Sequence, residues 1–312
     1  MNFFEKIVNK IDWIYNTTLS KIVKGRKKIR ILNFDDSVDE LINNQSSLCR
    51  FGDGEFTLML NGEFLLARSK DLKFQVASNA LKARLREIIQ HSDLEQYNLK
   101  VAVPGNLLCN DFRIYNQETY FFWENYLYEL RFKIYTLLKP ETTYLDALIS
   151  RFYMQYSDKS ELIVRAKIQK LQGIWQNKPI LFIEGEGSKL GVNNDLFSGA
   201  KSISRIICPN KNAFDYYDRI FEKAKEYGEN KLIILALGPT ATVLAFDLAR
   251  SGYRALDLGH IDIEYEWFLS RALTKKQVEN KVITEVDGDD VIGDINLQAD
   301  IAYKNQIVYS IK

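Results

Sequence analysis

With 312 residues, 46% of them hydrophobic and 12% aromatic, the chain can bury a substantial core in one large domain or two small ones, which excludes disorder as its default state. The net charge of +1 hides an asymmetry: residues 1–30 carry eight basic side chains against Glu5 and Asp12, a local charge of +6 that leaves −5 on the rest and excludes a general nucleic-acid surface. Cys49, Cys109 and Cys208 lack paired spacing and only two histidines could join them, so a zinc site is not expected and a reducing compartment is.

In residues 1–24, Phe4, Ile7, Ile11, Ile14 and Tyr15 recur at helical spacing among Lys6, Lys10, Lys21 and Lys24, which predicts an amphipathic helix. Two readings stay open for it. It packs on the body or on a partner, or it rests on an anionic membrane face with help from the basic cluster at 24–30. Charges interrupt its apolar residues every few positions, so neither a signal peptide nor a membrane span is expected. The protein is read as cytoplasmic, with peripheral contact at the inner face of the membrane in view. This N-terminal segment, residues 1–35, is set apart from a body at 36–312.

The body alternates short apolar runs with longer amphipathic ones, the pattern of a sheet with crossover helices. Strands are predicted over 48–52, 101–104, 180–184, 203–208, 232–237 and 255–258, and helices over 72–90, 117–138, 159–176, 213–227, 240–251 and 263–272. Spacing in the second half suits right-handed parallel crossovers. The fold class is therefore α/β, a Rossmann-like, mostly parallel sheet flanked by helices. The aromatic stretch at 120–135 is expected to pack over that sheet.

Four segments can carry chemistry. Arg50-Phe51-Gly52-Asp53-Gly54-Glu55 ends the first strand, and its two carboxylates, spaced by glycine, can converge on one side of a tight loop. Oxygen ligands of this kind suit Mg²⁺ or Mn²⁺ bridged to a substrate's phosphates, although Asp-Gly is also a plain turn signal. Glu184-Gly185-Glu186-Gly187-Ser188-Lys189-Leu190-Gly191 is one residue off the dinucleotide fingerprint, and its glutamates would repel a pyrophosphate; it reads as a ligand-facing loop at a strand's carboxyl end. In Leu237-Gly238-Pro239-Thr240-Ala241-Thr242, the glycine exit, the proline at the first helical position and two hydroxyls fit an anion site or simply a well-capped helix. Finally, His260, Asp262, Glu264 and Glu266 offer a general base in a partly apolar setting, or acidic residues that complement a helix dipole. A helix starting near Asp262 puts Asp262 and Glu266 on one face, with His260 and Glu264 not both beside them. The acidic run Asp287-Gly288-Asp289-Asp290 has the wrong spacing for a calcium loop.

In this order the four segments, together with Phe74-Gln75, Phe122-Trp123 and residues 151–160, resemble the GT-D-type glycosyltransferase family over roughly residues 46–285. The resemblance implies a Rossmann-like fold, a metal-associated Asp-x-Glu element at Asp53 and Glu55, and a nucleotide-sugar donor such as UDP-glucose. It also implies transfer of a hexose to a glycan or glycoprotein acceptor in bacterial glycan assembly. Carried over, it puts Mn²⁺ or Mg²⁺ and the diphosphate at Asp53 and Glu55. It makes Ser188, Lys189, Asn194 and Asp195 candidates for donor binding, joined by Arg50, Gly238, Thr240 and Thr242 from the segments above, and places His260, Asp262, Glu264 and Glu266 on the acceptor side, where a carboxylate, Glu266 or Glu264 first and Asp262 next, is expected as the catalytic base. Lys189 stands where the family has arginine, Asn193 where it has glycine, and Phe152 where a proline follows Arg151; a lysine keeps the charge but not bidentate phosphate geometry. The alternatives are a metal-dependent phosphohydrolase and an inactive subunit that binds nucleotide sugar or glycan beside a partner transferase.

Overall fold

The computed structural model describes Thr18 and residues 28–60, 72, 74–91, 94–108, 114–283, 286 and 297–312. The N-terminal amphipathic helix, the basic cluster up to residue 27, Cys109 and the acidic run at 287–290 lie outside the described residues.

The described strands are β1 Arg30–Ile31, β2 Ser47–Arg50, β3 Leu99–Val103, β4 Thr143–Asp146, β5 Pro179–Gly185, β6 Ser202–Cys208, β7 Leu232–Ala236, β8 Ala255–Asp257 and β9 Ile307–Ser310. They form one sheet in the order β1-β4-β3-β2-β8-β7-β5-β6-β9, and every pairing in it is parallel. All six predicted strands are present. Three were not foreseen, β1, β4 and β9, each only two to four residues long and without a run that stands out from its surroundings.

Side chains alternate across the sheet, so each strand feeds two cores. Cys49, Val101, Val103, Leu181, Ile183, Ile233 and Leu235 face one layer of helices, while Leu48, Ala102, Leu145, Ile180, Phe182, Ile234 and Leu256 face the other. The first layer holds α3 Asn79–Gln90, α4 Gln117–Leu137, α6 Tyr217–Gly228 and α7 Pro239–Arg250; the second holds α1 Phe34–Asn43, α5 Glu161–Gln172 and α8 Ile261–Leu269. A short α2, Asp53–Met59, follows β2, and α9, Leu297–Gln306, precedes β9. Burial on both faces is what a parallel sheet requires. No described helix is long and apolar enough to cross a membrane.

Local signals set several boundaries. The helix expected from 72 begins only at Asn79, because the Ser78 side chain accepts from Leu81 N at 3.1 Å and caps it. Asn33 and Asn116 cap α1 and α4 in the same way. On α4, Trp123, Leu127, Leu130, Ile134 and Tyr135 pack inward as expected, whereas Phe121, Phe122, Tyr128 and Phe132 remain exposed.

Asp146, at the end of β4, accepts from Gly105 N at 3.0 Å and from Leu148 N at 2.9 Å. Burial nevertheless raises its carboxyl to about 6, against those hydrogen bonds and the pull of Lys167. A raised carboxyl favours folding most below the unfolded value and loses that advantage as pH rises through 6. The stability of the protein relative to Asp146→Asn should therefore fall by up to about 3 kcal/mol between pH 4 and pH 6 and stay level above. Urea unfolding of the two proteins across that range measures it; a constant difference contradicts the reading.

Candidate functional site

A cleft of about 770 Å³ opens at the carboxyl ends of the strands, where open α/β sheets bind their ligands. Its lining draws on every segment singled out above: Arg50, Asp53 and Glu55 after β2, Glu186 and Ser188 after β5, Gly238 after β7, and His260 and Asp262 after β8. The helix α4 and residues 151–155 close the remaining side, with Phe122, Trp123, Tyr126, Arg151 and Gln155.

The Arg50–Glu55 segment is not the tight loop expected. Gly52 lies in an extended conformation as the cap of α2, and Asp53 is the first helical residue. Neither Gly52 nor Gly54 takes a positive φ; the glycines are there for room. A Cβ on Gly52 would sit 3.2 Å from Glu55 Oε2 and 3.4 Å from the Arg50 guanidinium. Glu55, the third residue of the helix, reaches back to accept from Gly52 N at 2.7 Å. Burial pushes its carboxyl up, opposed by the Arg50 charge. Asp53 is exposed at the cleft, and its carbonyl accepts from the Tyr126 hydroxyl at 2.8 Å. The two acids thus differ: Asp53 is exposed at the cleft, while Glu55 is buried and one of its oxygens is committed to the cap.

Arg50 is the fixed cation of the cleft floor. It is 8% exposed, with Nε 3.6 Å from Asp257 Oδ1, within ion-pair reach but beyond hydrogen-bond length. A Cβ on Gly259 would fall 2.5 Å from its Nη2, so the absence of a side chain there admits the guanidinium. Asp257, which sequence reading missed because it looks like an ordinary strand end, is wholly buried and its carboxyl rises to about 7; burial outweighs the Arg50 charge.

The loop after β5 is built for itself more than for a phosphate. Glu184 is buried, pairs with Arg205 at 2.6 Å and accepts from Leu190 N at 2.7 Å. Ser188 N donates to Gly185 O and Gly191 N to Asp262 Oδ1, so these backbone donors are spent internally. Ser188 lines the cleft, but Lys189, Asn194 and Asp195 do not. The Lys189 ammonium lies 5.8 Å from the centre of the Tyr303 ring, Asn194 bridges Asp262 and Glu266, and Asp195 accepts from the Tyr265 hydroxyl.

At the start of α7, Gly238 has φ +53°, and a side chain there would strike the Phe74 ring. Gly238 lines the cleft, whereas Thr240 and Thr242 are fully buried and turn inward. The Thr240 hydroxyl bonds Gln75 Oε1 at 3.3 Å, and the Thr242 hydroxyl lies 3.0 Å from both Arg50 O and Asp257 Oδ2. Their contribution is to hold the residues around Arg50.

The last segment divides as its spacing suggested. Asp262 and Glu266 share a face and share Lys281: its ammonium is 2.6 Å from Asp262 Oδ2 and 2.7 Å from Glu266 Oε1. Burial works against the Lys281 charge, but the two carboxylates outweigh it and hold the ammonium above its ordinary range. Nothing in the sequence around Lys281 marks it. Glu264 points elsewhere, accepting from Tyr153 N at 2.9 Å and Met154 N at 2.7 Å, and so shapes the 151–155 wall. His260 Nδ1 stands 3.2 Å from Arg151 Nη2. Of the four, His260 and Asp262 line the cleft.

Among the described residues no cluster of three or more histidine, cysteine or acidic side chains could hold a metal by itself. The donor set at Asp53 fits instead a hard divalent ion that takes most of its ligands from phosphate oxygens and water, as Mg²⁺ does with one or two carboxylates.

Comparison with known proteins gives a consistent result. The sequence profile described as "Glycosyltransferase GT-D fold" matches residues 48–286. The chain is 36% identical over 282 residues to a protein named probable glycosyl transferase in Streptococcus gordonii, covering 90% of this chain and 39% of that one. It is 36% identical over 280 residues to a glycosyltransferase of Streptococcus pneumoniae serotype 4, covering 90% and 32%. It thus spans well under half the length of these relatives. Among solved structures it is similar to domain of unknown function 1792, described as having a distinct glycosyltransferase fold, at 34% identity and TM-score 0.81 over 95% of this chain and 100% of that one. A glycosyltransferase of Streptococcus sanguinis matches at 37% identity and TM-score 0.79 over 91% and 100%.

Proposed function

We propose, because this chain belongs to the glycosyltransferase GT-D fold family, that it transfers a hexose, glucose first among candidates, from a UDP-sugar to a glycan or glycoprotein acceptor in bacterial glycan assembly. The observation that supports this best is that exposed Asp53 and the embedded Arg50 line the same cleft. Asp53 would hold Mn²⁺ or Mg²⁺ together with the donor's phosphates, and Glu55 would keep that helix end in place. When bound, the ion supplies Lewis-acid stabilisation of the departing nucleotide. Arg50 contributes a preorganised positive charge toward the same phosphates, held by Asp257 and framed by Gly52 and Gly259. Ser188 and Gly238 line the donor's side of the cleft. On the acceptor side, Glu266, Glu264, Asp262 and His260 are the candidates for taking the acceptor's proton, and of these His260 and Asp262 line the cleft. The basic residues of 1–30 fit attachment to the anionic inner face of the membrane or to a partner transferase.

Purified protein should release UDP from UDP-glucose when Mn²⁺ is present. Excess EDTA or Asp53→Asn should lower that rate by about 10- to 100-fold, the loss typical of a disturbed metal site. Turnover indifferent to both would remove the metal role, and failure of a nucleotide-sugar panel to shift the unfolding temperature would remove the donor class.

A further inference from the structure

The helix α4 carries more aromatic surface than the core uses. Phe122 is 46% exposed on the cleft wall, its ring stacked on Tyr126 with centroids 5.8 Å apart and planes 18° apart. An aromatic ring left in water forgoes the stabilisation that covering it would bring. The same wall holds two unmatched polar atoms. Trp123, 2% exposed, finds no acceptor for its indole N–H, and the buried Oε1 of Gln155 finds no donor. Buried polar groups are ordinarily paired, so an unmatched donor and an unmatched acceptor on one cleft wall point to a ligand that both donates and accepts.

The wall is firmly built. Asn116 N donates to Gln155 O at 2.9 Å and Asn116 Nδ2 to Met154 O at 2.7 Å, which ties the start of α4 to the loop that Glu264 holds. Tyr126 joins it to the Asp53 carbonyl, so the wall abuts the donor end of the cleft. Its α4 side carries no cation in the cleft lining and adds Glu118 and Glu129, which disfavours phosphate there, while Arg151 lines the 151–155 side. A pyranose ring matches these features: it has an apolar C–H face for stacking and hydroxyls that act as donor and acceptor at once.

We propose that Phe122, Tyr126, Trp123 and Gln155 form the subsite for the acceptor's terminal saccharide ring, with Phe122 as the stacking platform. This rests on the glycosyltransferase reading, and it moves acceptor recognition from the helix after His260 to α4. Saturation-transfer NMR on the full chain with cellobiose, maltose and N,N′-diacetylchitobiose tests it. Aromatic irradiation should transfer to pyranose ring protons of at least one sugar; Phe122→Ala should cut that signal by about tenfold and Phe122→Trp keep it. UDP binding measured by calorimetry should be equal in all three proteins. The proposal is overturned if the unaltered protein gives no transfer to any of the three sugars, if Phe122→Ala leaves the signal intact, or if that variant loses UDP instead, which would make the ring a nucleobase platform. An unaltered protein that holds sugars but never UDP would sink the donor reading and leave the saccharide site standing.

Discussion

Replacing Lys281 with methionine should lower the unfolding free energy by about 3–5 kcal/mol, the usual cost of removing one partner of a buried ion pair. The side chain is 2% exposed, and its ammonium is the shared counter-charge of Asp262 and Glu266. Without it, two carboxylates that also share the Asn194 amide would face each other with no cation between them. The effect should reach the cleft as well. Gly191 N and Asn194 hang on Asp262, and Val282 N bonds Gly187 O at 2.9 Å, so the 187–194 loop is tied at three points to Asp262 and to the neighbour of Lys281. Adding Asp262→Asn to Lys281→Met should recover part of the stability, because the amide removes one of the two carboxylates left without their cation. Urea unfolding measures all three; a loss below about 1 kcal/mol for the single variant would show that the cluster behaves like a solvated surface pair.

Arg50→Met should lower kcat/KM for the sugar donor by about 10²–10³-fold while the fold survives. The first part follows from the proposed role of Arg50, because losing a preorganised charge directed at a leaving group is worth about 3–4 kcal/mol in comparable sites. The second follows from Asp257. Its carboxyl, already pushed up to about 7 by burial, rises further once the guanidinium is gone, so it takes a proton instead of leaving a bare charge in the core. Lysine at position 50 should restore only part of the rate, since it lacks the planar fork that reaches past Gly52 and Gly259. Steady-state kinetics beside thermal unfolding separates the two effects. A variant as active as the parent would take Arg50 out of the chemistry, and one that fails to fold would show that Asp257 does not accept the proton.

The architecture was legible because each central strand is a short apolar run bounded by turn residues, and the four chemistry-bearing segments all sit at strand ends, which a parallel sheet gathers on one side. What the residues alone did not disclose is which way each side chain turns. Thr240 and Thr242 at a helix start suggest an anion site, yet both face inward to Gln75, Arg50 and Asp257. The glycines around Asp53 suggested unusual dihedrals and instead make space for Arg50 and Leu72. Lys281 and Asp257 were invisible because their importance comes from partners far away in sequence. The separation of Asp262 and Glu266 from Glu264 was readable, since helical spacing alone dictates it.

The pairing of β2 with β8 has a consequence for biosynthesis. Ala255 N bonds Ser47 Oγ across 208 positions, and Leu48 lies in register with Leu256. On the ribosome, the side of β2 that meets β8 is therefore an open edge until residues 255–257 have emerged, and Arg50 has no Asp257 to rest against. Contacts of such long range form slowly. A nascent chain of this protein cannot set Arg50 against Asp257 early, and it must shelter that edge from other chains in the meantime.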